Sequence, residues 1–516
     1  MQDLIANSSF GRVDDLIARQ AARQPHHLAL VEGAQSLDYA GLDRAMDQVA
    51  LSLQQAGIQP GEAIAICATS SIPYATVFLG ALRAGVVVAP LAPGVTPQSL
   101  AQMIGNAQAR LLFTDAACSD TTGPAKPGDP PRIALDGDPS VGQPFADWLA
   151  PAGRKPAAAP LEPSAPFNII YSSGTTGEPK GIVQSHGMRW AHVQRGVVYE
   201  YGPSTVTLLS TPLYSNTTLV IFFPTLAFGG TLMLMPKFNA AQYLQLAQTH
   251  RVTHTMLVPV QYQRLLALPN FGDFDLSSYR YKFCTSAPFS AALKAEVLQR
   301  WPGGLTEFYG MTEGGGSCIL DAHQHPDKLH TVGRPAASSD IRLIDDAGHE
   351  VAAGEAGEVV GHSPGMMNGY HRKDDKTREA EWFDTSGKRF IRTGDIGRFD
   401  ADGFLILFDR KKDMIISGGF NIYPSDLESM LREHPAVLES AVVGVPSEAW
   451  GETPVAFVVA REGQALEAQA LKDWLNAKVG KTQRLSDLRL VEALPRSAIG
   501  KVLKRELRDL WTAPQA

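Results

Sequence analysis

The sequence predicts an α/β protein of two domains. Three observations carry that expectation: a length of 516 residues, a strand–helix–strand rhythm through the first part, and a change of rhythm beyond the charged run Asp409–Asp413. A chain this long exceeds one ordinary core. In chain order, Ala63–Cys67 reads as a buried strand, Ile72–Ala84 as a helix, Val86–Leu91 as a strand, Pro97–Ala107 as a helix and Arg110–Thr114 as a strand. Short apolar runs separated by amphipathic stretches predict a largely parallel sheet covered by helices. From Cys118 to Pro166 the chain is rich in Pro, Gly, Ala and Asp, which predicts a surface excursion.

A second alternating run starts at Phe167–Tyr171 and continues past Tyr281–Thr285, giving way near Ser338–Gly361 to strand-like segments that end with Gly403–Phe408. Beyond the charged run the pattern is compact α+β: helix Ser425–Glu433, strands Ser440–Val445 and Pro454–Ala460, helix Leu466–Lys478, strand Leu488–Leu494 and helix Lys501–Leu510. The expected organisation is a large domain over 1–408, a hinge at 409–413 and a small domain over 414–516.

Bulk properties narrow the function. An apolar fraction of 44% and a charged fraction of 19% exclude wholesale disorder. A formal charge of −7 argues against a nucleic-acid partner, since backbone binding needs excess Lys and Arg. Cys67, Cys118, Cys284 and Cys318 form no C-x-x-C pair and read as buried thiols of a cytoplasmic protein. The N-terminus has no basic region followed by an apolar run, and the apolar stretch Leu219–Leu234 is broken by Pro224, Gly229 and Gly230, so stable membrane insertion is not expected.

The chemistry concentrates in Tyr171-Ser-Ser-Gly-Thr-Thr-Gly-Glu-Pro-Lys-Gly181, which follows a predicted strand. Backbone N–H groups of such a turn converge on anionic oxygen, and Ser/Thr hydroxyls add donors without bulk. Ser172, Ser173, Gly174, Thr175, Thr176, Gly177 and Lys180 are therefore candidate triphosphate contacts. Lys180 is followed by Gly181 rather than Ser or Thr, so this is not a Walker A loop. A Gly/Ser surface loop is the bland alternative, and the length of the string argues against it.

This string resembles the phosphate-loop signature of the adenylate-forming superfamily: acyl- and aryl-CoA synthetases, peptide-synthetase adenylation domains and luciferases. The resemblance runs through several motifs in family order over essentially the whole chain. It implies a large N-terminal domain of mostly parallel sheets plus a distorted β-barrel, and a small mobile C-terminal α+β domain. In Phe308-Tyr-Gly-Met-Thr-Glu313 it implies that Tyr309 stacks on adenine, Thr312 contacts the α-phosphate and Glu313 supports Mg²⁺. It places Ser286, Ala287 and Pro288 beside the adenine, and gives Asp395, helped by Arg410, the ribose hydroxyls. Viewed alone, each of these strings is equally an ordinary turn.

In the charged run the family's pivot corresponds to Lys412, and Gly418 and Gly419 would let a pantetheine chain pass the backbone. Pro495-Arg-Ser-Ala-Ile-Gly-Lys501 matches the catalytic-lysine loop, although a lysine near a C-terminus is more often a solvated helix-start residue. Trp450 and Arg484 occupy coenzyme A positions, or else Trp450 only packs the small domain and Arg484 is only solvated. Tyr214, Ser215, Asn216, Val220, Met311, Gly314, Gly315 and Gly316 occupy acyl-site positions. Family members that take amino acids carry Asp where Ser215 stands, and many CoA ligases carry His. A buried ammonium without an anion is costly, which disfavours amino acids here.

The implied activity is ATP-dependent activation of an aromatic or medium-chain acid, with ATP, Mg²⁺ and coenzyme A, releasing AMP and pyrophosphate. Transfer to a separate carrier protein, a fatty acid-specific CoA ligase, a luciferase-like oxidation, a non-catalytic relative and an ADP-forming enzyme are the alternatives. A small-molecule acid is the expected partner, and a homodimer is left open.

Overall fold

The computed structural model describes residues 1–172, 179–417, 420–448, 450–480, 483–497 and 500–512. Contacts divide the chain into two compact units, one of residues 1–340 and 361–391, the other of 341–360 and 392–516. The expected hinge at 409–413 falls inside the second unit.

Two large sheets build the first unit. One has eight strands, in the order Gly369–Tyr370, Lys180–Ser185, Pro166–Ser172, Val87–Pro90, Ala63–Cys67, Leu112–Thr114, Arg132–Ala134 and Gln143–Pro144. From Pro166–Ser172 to Gln143–Pro144 all its pairs are parallel, as the βαβ rhythm predicts. The other has nine strands, with a parallel centre of Val206–Leu209, His254–Leu257, Tyr281–Cys284 and Gly304–Tyr309.

Helices Tyr39–Gln55, Ile72–Arg83 and Asn216–Ala227 share one core with strands of both sheets. Ile72–Arg83 is buried at every position but Pro73, and Asn216–Ala227 along nearly all of its length. Such helices must be apolar all round rather than striped. That explains why Leu219–Leu234 reads as one apolar stretch. Its Pro224 is accommodated within the helix rather than ending it. Among the described residues no helix is long and apolar enough to cross a membrane. The excursion after Cys118 is partly ordered into two short strands that extend the eight-stranded sheet.

The second unit holds most residues of strands Asp340–Ile344, Gly357–His362, Arg389–Phe399 and Leu405–Arg410, and a separate five-stranded sheet built on Val437–Ser447 and Gly451–Ala460. Val442, Ala456 and Val458 face a core with Leu427, Leu431, Leu471 and Leu475. Ala441, Val443, Val445, Val455 and Phe457 face Leu494 and Leu507 on the other side. Both faces of this sheet are covered, so its strands read as continuous apolar runs.

One expectation shifts: the last helix spans Lys504–Thr512 and not Lys501–Leu510. Phe308 and Tyr309 end a strand, Gly304–Tyr309.

Candidate active site

The phosphate loop is framed by two antiparallel strands, Pro166–Ser172 and Lys180–Ser185, whose register sets Ser172 opposite Lys180 and Tyr171 opposite Gly181. Ser173, Gly174, Thr175, Thr176 and Gly177 lie outside the described residues, as do Gly418 and Gly419. The frame itself is anchored. Tyr171 donates its hydroxyl to Asn106 Oδ1 at 2.7 Å and to the Met103 carbonyl at 3.1 Å.

Lys180 Nζ lies 5.2 Å from the ring centroid of Tyr370. Tyr370 in turn donates to Glu313 Oε1 at 2.8 Å. Burial and the Glu313 carboxylate both push the Tyr370 phenol far up, so it stays a donor. A chain of contacts thus joins the end of the loop to the turn carrying Thr312 and Glu313. Tyr370 was not foreseen, because an isolated tyrosine in Met-Met-Asn-Gly-Tyr offers no spacing to read.

The turn is fixed from a second side. Gln184, fully buried on Lys180–Ser185, donates to the Thr312 carbonyl at 2.8 Å, and the Glu313 carbonyl accepts from the Met367 N–H at 2.8 Å. A carboxylate of this kind suits a hard, oxygen-ligated cation such as Mg²⁺. Gly314 has φ +88°, and a Cβ there would meet the Gly365 carbonyl oxygen at 1.8 Å. At Gly315 a Cβ would meet Ile391 Cβ at 2.7 Å. These glycines permit close backbone packing, and the space beside them is already filled.

Tyr309, half-buried, stands at the end of its strand. Next to it, Thr285 donates to the Phe308 carbonyl at 2.8 Å. Ser286 follows with φ +79°, a left-handed backbone unusual for a residue with a Cβ, and its hydroxyl bonds to that of Thr217. The Ser286-Ala287-Pro288 segment is therefore a strained turn tied to the start of helix Asn216–Ala227. Ser215 caps that helix: its hydroxyl accepts from the Thr217 N–H at 3.3 Å. The serine seen in place of Asp or His thus has a structural use, signalled in the sequence by the helical run behind it. Tyr214, half-buried, has its phenol pushed up to about 12 by burial. Val220 packs against the main core and Met311 against Ile182, Met367 and Ile391.

The second unit gathers another set. Asp395 and Arg410 are register partners on neighbouring strands, with Arg410 Nε 3.4 Å from Asp395 Oδ1. Lys412 lies in the following turn, exposed, where the Asp413 N–H donates to the Arg410 carbonyl at 2.9 Å. Lys501 is not a helix-start residue. Its N–H donates to the Ser497 hydroxyl at 3.2 Å and its carbonyl accepts from the Ser497 N–H at 2.8 Å. Gly500, at φ +77°, closes that turn, and Arg496 and Val502 bridge below it. Burial, with Arg410 and Lys412 adding repulsion, holds the Lys501 ammonium down at about 8, against the attraction of Asp395 and Asp413.

Helix Lys504–Thr512 is tied to the residues flanking Lys412. Lys504 lies 3.6 Å from Asp409 and Arg508 lies 2.9 Å from Asp413. Trp450 is 56% exposed just before strand Gly451–Ala460, and Arg484 is exposed before Asp487–Leu490.

Residues 17–371 match the family model of AMP-binding enzymes, and residues 426–501 match that of the AMP-binding enzyme C-terminal domain. The chain belongs to this family. A feruloyl-CoA synthase of Amycolatopsis sp is 32% identical over 504 residues, covering 95% of this chain and 97% of its own. A fatty acid–[acyl-carrier-protein] ligase, ScoC, of Streptomyces coeruleorubidus is 30% identical and covers 100% of this chain and 98% of its own. Among solved structures, ATP-bound MatB from Rhodopseudomonas palustris aligns with a TM-score of 0.87 at 30% identity, covering 97% of this chain and 99% of its own. The expected membership of the adenylate-forming superfamily holds, with its α/β architecture of a large and a small part.

Proposed function

We propose that this AMP-binding enzyme activates a carboxylic acid with ATP and passes the acyl group to coenzyme A. A carboxylate oxygen attacks the α-phosphorus, the bond to pyrophosphate breaks, and an acyl-adenylate forms. The thiol sulfur then attacks the acyl carbon, the bond to AMP breaks, and the thiol proton goes to solvent. The observation that carries this is Lys501. It sits in a bridged loop beside the Asp395–Arg410 pair, where neighbouring cations leave it short of negative charge.

Two anions must meet in the first step, so charge stabilisation is the main catalytic effect. Lys501 bridges the acid carboxylate and the α-phosphate, and Thr312 contacts the same phosphate. Ser172, Ser173, Gly174, Thr175, Thr176, Gly177 and Lys180 hold the triphosphate, while Glu313 would hold Mg²⁺, which would screen the phosphate charge. Tyr309 stacks on the adenine beside Ser286, Ala287 and Pro288, and Asp395 with Arg410 accepts the ribose. The small domain, beginning after the 409–413 hinge, turns about Lys412 between the two steps. Gly418, Gly419, Trp450 and Arg484 then receive coenzyme A. Tyr214, Ser215, Asn216, Val220, Met311 and Gly314, Gly315 and Gly316 border the acyl group, which is aromatic or of medium length.

The full-length coverage of relatives named as CoA ligases supports coenzyme A as the acceptor. Product analysis with ATP, coenzyme A and a panel of benzoates, cinnamates and fatty acids tests this. AMP, pyrophosphate and an acyl-CoA are expected. Release of ADP contradicts the reading, and acyl-AMP without turnover on free coenzyme A moves the acceptor to a carrier protein.

A further inference from the structure

Arg189, on helix His186–Arg195, is 0% exposed and spends all five of its N–H groups inside the first unit. Nε and Nη2 donate to Asn168 Oδ1 at 3.1 and 3.0 Å, and Nη2 also donates to Gln184 Oε1. Nη1 donates to Asn216 Oδ1 at 2.9 Å and to His192 Nδ1 at 3.4 Å. A guanidinium can only donate, so each of the three amides turns its oxygen towards it.

For Gln184 that decides where the NH2 goes. Its Oε1 also accepts from Asn168 Nδ2 at 3.0 Å, and its Nε2 donates to the Thr312 carbonyl at 2.8 Å and to Asn216 Oδ1 at 3.4 Å. A flipped amide would set donor against donor at Arg189 and acceptor against acceptor at Thr312. The buried cation therefore leaves Gln184 one orientation, and that orientation grips Thr312. Asn168 and Gln184 are register partners on Pro166–Ser172 and Lys180–Ser185, the two strands that frame the phosphate loop. The hairpin that carries the loop thus reaches Thr312 through a side chain of its own. Glu313 has separate anchors, the Tyr370 hydroxyl on its carboxylate and the Met367 N–H on its carbonyl, each at 2.8 Å. A buried arginine needs acceptors, but nothing about its burial requires that one of them hold Thr312.

We propose that Gln184, oriented by Arg189, is a positioning residue for the adenylation step: it fixes the Thr312 backbone relative to the phosphate-loop frame, so that Thr312 meets the α-phosphate as it is attacked. This rests on the ligase reading above and adds a residue to it. In the thioester step the α-phosphate belongs to the leaving group and is no longer the centre of attack, so that step depends less on the bond.

The test uses the full chain and Gln184→Glu. Leucine there would strip Arg189 of an acceptor and mix activity with folding. Glutamate keeps an acceptor for Arg189 and Asn168 and makes the first bond charge-assisted, but it has no N–H for Thr312 and sets an oxygen against that carbonyl. Acid-dependent exchange of labelled pyrophosphate into ATP should lose about 10–100-fold in kcat, the scale of a misplaced group near the reacting atoms, with KM for ATP within about threefold. Thioester formation from supplied acyl-AMP should stay within about threefold of wild type, with the urea midpoint little changed. In a Thr312→Ala background the same substitution should cost less than about threefold, because the residue it acts through is gone. An undiminished kcat, equal losses in both backgrounds, or equal losses in both half-reactions overturns the proposal. If the wild type exchanges with no acid, the ligase reading fails, and hydrogen exchange across 308–316 decides the positioning by itself. Faster exchange confined to that segment in Gln184→Glu supports it, and an unchanged segment overturns it.

Discussion

Lys294 in the first unit and Lys501 in the second are cations treated in opposite ways. Lys294 is 1% exposed and fully matched. Its ammonium pairs with the buried Glu307 and donates to the carbonyls of Leu329 and Thr331, each at 2.9 Å. Burial pushes the Glu307 carboxyl up, and the Lys294 charge works against that shift. Lys501 has Arg410 and Lys412 for neighbours and is held down at about 8. Lys294 is neutralised on the spot, whereas Lys501, which the proposed function sets against the α-phosphate, is surrounded by cations as well as by Asp395 and Asp413.

The comparison breaks or sharpens through four substitutions or titrations. The largest effect belongs to Lys294→Met, which strands the Glu307 carboxylate and should cost about 3–5 kcal/mol of stability. Urea unfolding measures it. The double variant with Glu307→Leu should recover most of the loss, and equal losses would mean that the pair is not what Lys294 provides.

Lys501→Ala should leave the unfolding curve nearly in place while reducing adenylate formation by about 10²–10³-fold, the scale for removing one preorganised charge-stabilising group. Thioester formation from supplied acyl-AMP should largely survive. Equal loss of both steps would contradict the assigned role.

The Lys501 titration gives the third. Its folded pKa of about 8 lies below the usual 10.5, so the working ammonium is present at lower pH and lost as pH rises through 8. kcat/KM for ATP should fall there, since that ratio reports the free enzyme. Between 8 and 10.5 the unfolded chain binds more protons at this group, so its stability contribution rises over the same interval. Activity and stability should therefore move in opposite directions, and parallel movement would remove Lys501 as the titrating group.

The smallest effect is that of Tyr370→Phe, which deletes the hydrogen bond to Glu313. Roughly tenfold weaker apparent Mg²⁺ dependence is expected from the loss of one bond to a charged group. An unchanged profile would reduce Tyr370 to packing.

Much of the fold was legible in the sequence because buried parallel strands and their helices announce themselves as alternating apolar runs. Ala63–Cys67 and Pro97–Ala107 appear with the expected bounds. The lysine loop was misjudged at its edge, since Gly500 with a positive φ delays the helix until Lys504, and a periodic pattern does not register that turn. Motif residues were legible because they are local strings. Gln184, Arg189 and Tyr370 were not, since their meaning lies in partners far along the chain: Thr312, Asn168 and Asn216, and Glu313. At Gly314 and Gly315 a side chain would meet backbone and Ile391, and a sequence shows that a glycine lacks a side chain but not what fills the gap.

Acid-dependent exchange of labelled pyrophosphate into ATP, comparing wild type with Lys501→Ala, tests the central claim most directly, because it reports the first half-reaction without coenzyme A. The account predicts exchange that requires the acid and Mg²⁺ and collapses in the variant. Exchange independent of the acid, or exchange that persists in Lys501→Ala, would contradict it.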